Sequence, residues 1–225
     1  MAHPSHLARK PRTVDHVSAA SVPVAALTAW QTLFEAGRVS RARRVLVHGA
    51  GGSVGGFAVQ FAKHAGAYVI AAANAQDSNY VSGLGADVVL DYGAGPFEKG
   101  TTEVDLVLDV IGGEMQERSL RLLGRGGILV STVGISVSSD EADARGIETK
   151  AFFVRPDSAQ LREQPTDCSH LFGQELEHVI QREDAYETAR PVHDRRPADT
   201  LSRPCTKRPK PRPESLPRTR CASAA

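Results

Sequence analysis

The chain has 225 residues, 41% hydrophobic and 24% charged, with a formal net charge of +1. That is length enough for a sizeable core and the composition of an ordinary globular protein, not of a fibrous or wholly disordered one. The near-neutral sum hides a basic tail: residues 201–225 hold seven Lys/Arg and one acid, Glu214, so the body is mildly acidic and offers no basic face for nucleic acid.

Residues 1–20 are polar and aperiodic and read as a linker arm. In "SVPVAALTAWQTLFEAG" the apolar positions Val24, Leu27, Trp30 and Phe34 recur near a helical period, with Gly37 as a stop and Trp30 and Phe34 as core anchors. "RRVLVHG" is a short buried strand by its length and branching. The helix after it places Val54, Phe57, Ala58, Phe61, Ala62 and Ala65 on one face and stops at Gly66. "AYVIAAA" predicts a second strand, "QDSNYVSGLGA" a short helix and "DVVLDY" a third strand. "VDLVLDVIGG" is a fourth strand, followed by a helix over "EMQERSLRLLG". "GGILVSTVG" is a fifth strand, "IETKAFFV" a sixth, and "RPDSAQLRE" begins another helix. Strands alternating with helices at this spacing need crossover connections, hence a doubly wound α/β fold with a parallel sheet covered on both faces. One domain over 21–164 is expected. From 165 to 225 the rhythm stops; apart from "GQELEHVIQ", the segment is rich in Pro, Arg, Ser and Thr and reads as a largely disordered basic tail.

The densest local signal is "HGAGGSVGG" at the corner between the first strand and its helix. Glycines there let backbone N–H groups approach a pyrophosphate, and the first helical turn adds unpaired donors and the positive end of its dipole. The spacing is Gly49-x-x-Gly52-x-x-Gly55, or Ala50-x-Gly52-x-x-Gly55 as a relative of the dinucleotide fingerprint. The competing reading is a tight corner only; placement between strand and amphipathic helix favours the cradle. A ribose-selecting carboxylate should stand about 20 residues beyond the first glycine. Ala73-Asn74 stands there instead, and Asp77, the nearest acid, is equally explained as a helix cap. The missing carboxylate counts against NAD, and the lack of any Lys or Arg between His64 and Glu98 to grip a 2′-phosphate counts against NADP; NADP is expected and NAD stays open.

In order along the chain, "VPVAALTAWQTL", "VLVHGAGGSVGGFAVQFAK", "LGADVVLDY", "DLVLDVIGG", "LLGRGGILVSTVG" and "FFVRPDSAQL" resemble the medium-chain dehydrogenases/reductases. More narrowly, they are similar to the zinc-independent quinone oxidoreductase branch with its enoyl reductase-type domains. The resemblance spans residues 10–163 and implies a Rossmann-like cofactor domain. It places the backbone at Gly52, Ser53, Val54 and Gly55 against the pyrophosphate. Asn74 would meet the adenosine ribose or its phosphate, or else simply form a turn. Tyr92 would lie on the adenine side, or pack a strand end. Val110, Val133 and Gly134 would line the cleft beyond the carboxyl ends of the fourth and fifth strands. Thr28 would sit near the nicotinamide, or be a plain helical threonine. His48 is read as structural, no acid/base residue is assigned, and no metal is expected.

Three departures from the family pattern stand out: no GroES-like substrate domain precedes the cofactor domain, the family ending is unrecognisable after Gln164, and no basic clamp follows the second strand. The expectation is therefore a truncated form whose last segment comes partly from a shifted reading frame. Its activity would be hydride transfer to a quinone or enone, with a nucleotide-binding remnant without turnover as the alternative. The partners implied are the dinucleotide and a small substrate, with self-association through exposed apolar surface left open. No apolar run approaches the roughly 18 residues of a membrane span, and the N-terminus lacks a secretory apolar region. Cys168, Cys205 and Cys221 match no zinc or disulfide spacing, so the thiols are expected reduced and the protein cytoplasmic. The basic stretch "CTKRPKPRPESLPRTR" has no aromatic residues for stacking on bases, so nucleic acid is not an expected partner.

Overall fold

The computed structural model describes residues 3, 6–10, 15–101 and 103–163. They belong to the first of two compact units, Met1–Ala185; the second, Tyr186–Ala225, lies outside the described residues. So do the expected tail over 165–225, the three cysteines and the "GQELEHVIQ" helix.

Six parallel strands form one sheet in the order β3-β2-β1-β4-β5-β6: β1 Arg44–His48, β2 Tyr68–Ala73, β3 Val88–Asp91, β4 Val104–Asp109, β5 Leu123–Ser131 and β6 Glu148–Ala151. This is the 3-2-1-4-5-6 order of dinucleotide-binding sheets, and it reverses between β1 and β4. The doubly wound α/β reading holds.

Side chains alternate across the sheet, so each strand feeds two cores. Val45 and Val47 of β1, Leu106 and Leu108 of β4 and Ile128 and Val130 of β5 face a cluster completed by α1 (His16–Trp30), α2 (Ser53–His64) and α3 (Ser78–Gly83). Leu46, Ile70, Val107 and Leu129 face the other, completed by α4 (Glu114–Leu120) and α5 (Ser139–Arg145). The last described helix, α6 (Ser158–Glu163), packs on α1. Phe61 of α2, 2% exposed, meets Trp30 edge-on at 5.6 Å, and Trp30 meets Phe34 at 4.3 Å. Burying a side chain such as Phe61 contributes about 2–3 kcal/mol.

Several boundaries differ from the sequence reading. Helix α1 begins at His16, inside the expected arm, because Asp15 caps it by accepting from the Ser18 N–H at 2.7 Å. Val24 is 69% exposed; the helix packs instead through Ala25, Ala26, Leu27 and Ala29, whose small side chains bring α1 against α2. Its last residues, Gln31–Ala36, widen into a π-helical segment. Together His16–Ala36 is 21 residues whose most apolar 18-residue window has a mean hydropathy of 1.3, enough by length and composition to cross a membrane, but 44% of that window is buried within this fold. Helix α5 is an addition to the expected elements. From β3 to β4 the chain crosses on two short 3₁₀ turns, Tyr92–Ala94 and Phe97–Gly100.

Candidate functional site

In sheets of this order ligands enter a crevice where the order reverses, above the carboxyl ends of β1 and β4, and the glycine corner directly follows β1 there. Each glycine in that corner has a different task. Gly49 has φ +70°, a conformation side chains rarely adopt. A Cβ on Gly55 would stand 2.2 Å from Gly49 O and 2.7 Å from the Ala50 Cα, so its glycine is required by the packing of α2 on its own strand exit. Gly52 is the outward one: it is exposed, and a Cβ there would find only Gly49 O, at 3.4 Å. Gly52 is also the N-cap of α2 and brings no side chain to cap it. The N–H groups of Ser53, Val54 and Gly55 precede the first bond of the helix ladder, Gly56 N–H to Gly52 O at 2.8 Å. No acidic residue lies in that first turn, and Lys63 and His64 lie in the last. The corner thus presents backbone donors and the positive dipole end to whatever enters the crevice.

Around it, the structure brings most of the expected residues to the carboxyl edge. Val110 and Val133 follow β4 and β5, with Val133 56% exposed, and Gly134 comes next with φ +94°. Asn74, just past β2, is exposed and its side chain makes no cap hydrogen bond. Asp77, by contrast, is only 3% exposed and is turned into the protein, so it is not a surface carboxylate at this edge. Thr28 lies in α1, not at a strand end: it is 7% exposed and its hydroxyl donates to Val24 O at 2.7 Å.

Tyr92 lies closer to the corner than its place after β3 suggests. Its hydroxyl oxygen accepts from the Gly49 N–H at 2.7 Å and faces His48 Nδ1 at 3.4 Å. On the other side of the ring, His48 Nε2 lies 2.7 Å from Ser119 Oγ, whose proton goes to Met115 O at 2.6 Å. The serine oxygen must therefore accept, which puts the imidazole proton on Nε2 and leaves Nδ1 to accept from Tyr92. Burial drives the His48 pKa down to about 4, against the pull of nearby Asp109, so the ring is neutral. Burial likewise pushes the Tyr92 hydroxyl up to about 12. His48 is a buried strut, in agreement with its structural reading. Tyr92 also lines a cavity of about 220 Å³ with Gly95, Phe97, Ile111, Met115 and Arg118. Arg118 is held there by a two-pronged pair with Glu98 (2.5 and 2.7 Å) and lies over the Phe97 ring at 4.5 Å.

Sequence reasoning missed the groups that hold the loops after β4 and β5. Asp109 is fully buried; its Oδ1 accepts from the N–H groups of Ile111 (3.0 Å) and Gly112 (2.9 Å). Its Oδ2 accepts from Gln116 Nε2 (2.7 Å) and the Ser131 hydroxyl (2.8 Å). The available signal was an acid ending the apolar run "VDLVLD" just before Gly112-Gly113. Among the described residues no group of three or more His, Cys, Asp or Glu could hold a metal ion.

Residues 53–155 match the family model described as zinc-binding dehydrogenase. The chain is 40% identical over 126 residues to the mitochondrial NAD(P)H oxidoreductase RTN4IP1 of Danio rerio, a match covering 53% of this chain and 33% of that protein. It spans about a third of the length of such curated relatives. A structure assigned as the enoyl reductase domain of a polyketide synthase shares 30% identity with a TM-score of 0.54, over 76% of this chain and 97% of that one. The Escherichia coli quinone oxidoreductase complexed with NADPH shares 25% identity with a TM-score of 0.62, over 75% of this chain and 57% of that one.

These relatives correct the expectation of a cytoplasmic protein: the RTN4IP1 proteins of Danio rerio, Bos taurus and Mus musculus are all named mitochondrial. Cysteines at spacings that match no disulfide framework suggest a reducing environment and do not choose among reducing compartments. With the sheet order, the glycine corner and a domain matched almost end to end all in agreement, the chain belongs to the medium-chain dehydrogenase/reductase superfamily and carries its NAD(P)-binding domain.

Proposed function

We propose that this chain serves an NAD(P)-dependent oxidoreductase that passes a hydride between a nicotinamide and a quinone or an activated carbon–carbon double bond. The observation that carries the reading is the uncapped N-terminus of α2, with Gly52 open to the crevice where the strand order reverses. The residues present fit a dinucleotide there: a phosphate would find the Ser53, Val54 and Gly55 N–H groups and no opposing side chain. The nicotinamide supplies the hydride chemistry when bound.

The chain's own part is holding and shielding. The first turn of α2 binds the pyrophosphate, Asn74 meets the adenosine ribose or its phosphate, and Tyr92 borders the adenine side. Val110, Val133 and Gly134 wall the cleft beyond β4 and β5, and apolar walls there exclude water from the reacting ring. Thr28 backs the nicotinamide end. NADP is the proposed form. Asn74, Ala75 and Gln76 stand exposed at the end of β2, where a carboxylate would accept from a 2′-hydroxyl, and Asp77 is turned inward. Quinone oxidoreductases from Thermus thermophilus and Escherichia coli, both similar to this chain, were solved in complex with NADPH. The substrate class rests on relatives named quinone oxidoreductase and enoyl reductase.

The test is titration of the purified chain with NADPH and NADH by nicotinamide fluorescence, then addition of a model quinone with absorbance followed. Saturable binding, tighter for NADPH, is expected. Failure of both nucleotides to bind refutes the reading. Binding without oxidation confines the chain to holding the nucleotide.

A further inference from the structure

We propose that Gln116 is a positioning residue that sets the spacing of the two loops leaving β4 and β5, and so the seat of the nicotinamide half of the dinucleotide. The inference rests on the cofactor reading above. Gln116 is fully buried in α4, and its carboxamide is bonded on both sides. Nε2 donates to Gly134 O and to Asp109 Oδ2, each at 2.7 Å, with Ser131 Oγ at 3.1 Å. Oε1 accepts from the Ser136 N–H at 2.8 Å and the Ser136 hydroxyl at 3.0 Å. One side chain therefore grips the loop after β5 at Gly134 and Ser136. Through Asp109, whose other oxygen holds the N–H groups of Ile111 and Gly112, it also fixes the loop after β4.

Packing does only part of this job: Val137 is buried in the core with Ile135 packed beside it, but the tips of the two loops are not. The residues these bonds hold are largely outside the core: Ile111 is 47% exposed and Val133 56%. The tips of the two loops come close where a Cβ on Gly112 would stand 3.0 Å from Val133 Cγ2, so a shift of either loop closes or opens the gap directly. A core position at 116 could be filled by an unbranched apolar side chain of similar length; the amide is needed for its four directions of bonding. Helix α4 also turns different residues to the two sides: Met115 and Arg118 line the cavity with Tyr92, Phe97 and the Ile111 side chain, whereas Gln116 faces β5 and its loop. A change at 116 should therefore act on the β5 side and spare the β3 side.

The experiment compares Gln116→Met with the unaltered chain, measuring Kd for NADPH and for 2′-phospho-ADP-ribose, which has the same adenosine and pyrophosphate but no nicotinamide. NADPH should weaken by at least about tenfold, the worth of one lost buried hydrogen bond, while the fragment stays within about twofold. Equal weakening of both ligands, which a merely structural role would give, overturns the inference, as does no weakening of either. Gln116→Asn serves if the methionine variant does not fold, since its shorter carboxamide stays polar but cannot span Gly134, Asp109 and Ser136 together; the same ratio decides. If the unaltered chain binds neither ligand, the cofactor reading itself fails. If it binds both equally tightly, the nicotinamide has no seat and the inference on Gln116 falls alone.

Discussion

Gly52 and Gly55 stand three residues apart in one motif, yet substitutions at the two positions should separate stability from binding. Gly52→Asp places a favoured N-cap at the start of α2, where φ −90° and ψ 173° suit any residue and the nearest atom to a new Cβ is 3.4 Å away. The carboxylate would accept from first-turn N–H groups and meet the positive dipole end, so stability should hold or rise by up to about 1 kcal/mol. The same carboxylate takes the donors a pyrophosphate needs and adds a like charge beside it. Two unit charges about 4 Å apart near a protein surface repel by about 4 kcal/mol, and even half of that weakens binding about thirtyfold. Gly55→Ala does the reverse. Its Cβ would press to 2.2 Å from Gly49 O and 2.7 Å from the Ala50 Cα, both backbone atoms that cannot rotate away. Helix α2 must lift from the corner, at about 3 kcal/mol or a Tm lower by roughly 6–12 °C. Thermal melts read the first quantity and nucleotide titration the second. Unchanged NADPH affinity in a folded Gly52→Asp chain would sink the phosphate-cradle argument, and an unchanged Tm in Gly55→Ala would sink the packing argument.

Two further outcomes follow from buried polar groups. The His48 pKa, about 4 in the fold and 6.5 when free, means that below about pH 6.5 the unfolded chain takes up a proton the folded one refuses. Stability from this group is therefore full above 6.5 and lost as pH falls toward 4, by about 3 kcal/mol in all; urea midpoints across that range should slope, and His48→Gln should flatten the slope. The fully buried Gln31 pairs with both peptide groups of Arg155, Nε2 to O at 3.0 Å and N–H to Oε1 at 3.1 Å, so Gln31→Leu should cost about 1–2 kcal/mol and release the β6 exit, seen as faster exchange of the Arg155 amide.

Strands β1 to β5 were legible because each holds a short apolar run with an abrupt end, and a two-faced sheet needs no alternation to be recognised. What escaped lacks that contrast. Helix α5, "SDEADAR", buries only Ala142, so periodicity had nothing to register. The start of α1 was hidden because the packing face is built of alanine, while the conspicuous Val17 and Val24 point outward, 68% and 69% exposed. Asp15, Ser18 and the absence of glycine before Gly37 were the better guides to that helix.

The site was legible in outline and not in its internal division. A repeat of glycines shows that side chains are unwelcome without showing what excludes them. At Gly55 it is the chain itself, 2.2 Å away; at Gly49 it is a backbone angle; only at Gly52 is the space left open to something from outside. Reading Gly55 as the point of close approach to a pyrophosphate conflates two causes: its N–H belongs to the donor turn, but its missing side chain belongs to the fold. The supporting shell is harder still, because Asp109, Gln116 and Ser131 come from three elements and no local pattern links them. Tyr92 and His48, 44 residues apart, are joined in the same way. Local sequence thus specified where a ligand could enter, while the groups that hold the entrance at its width are paired only once the sheet has formed.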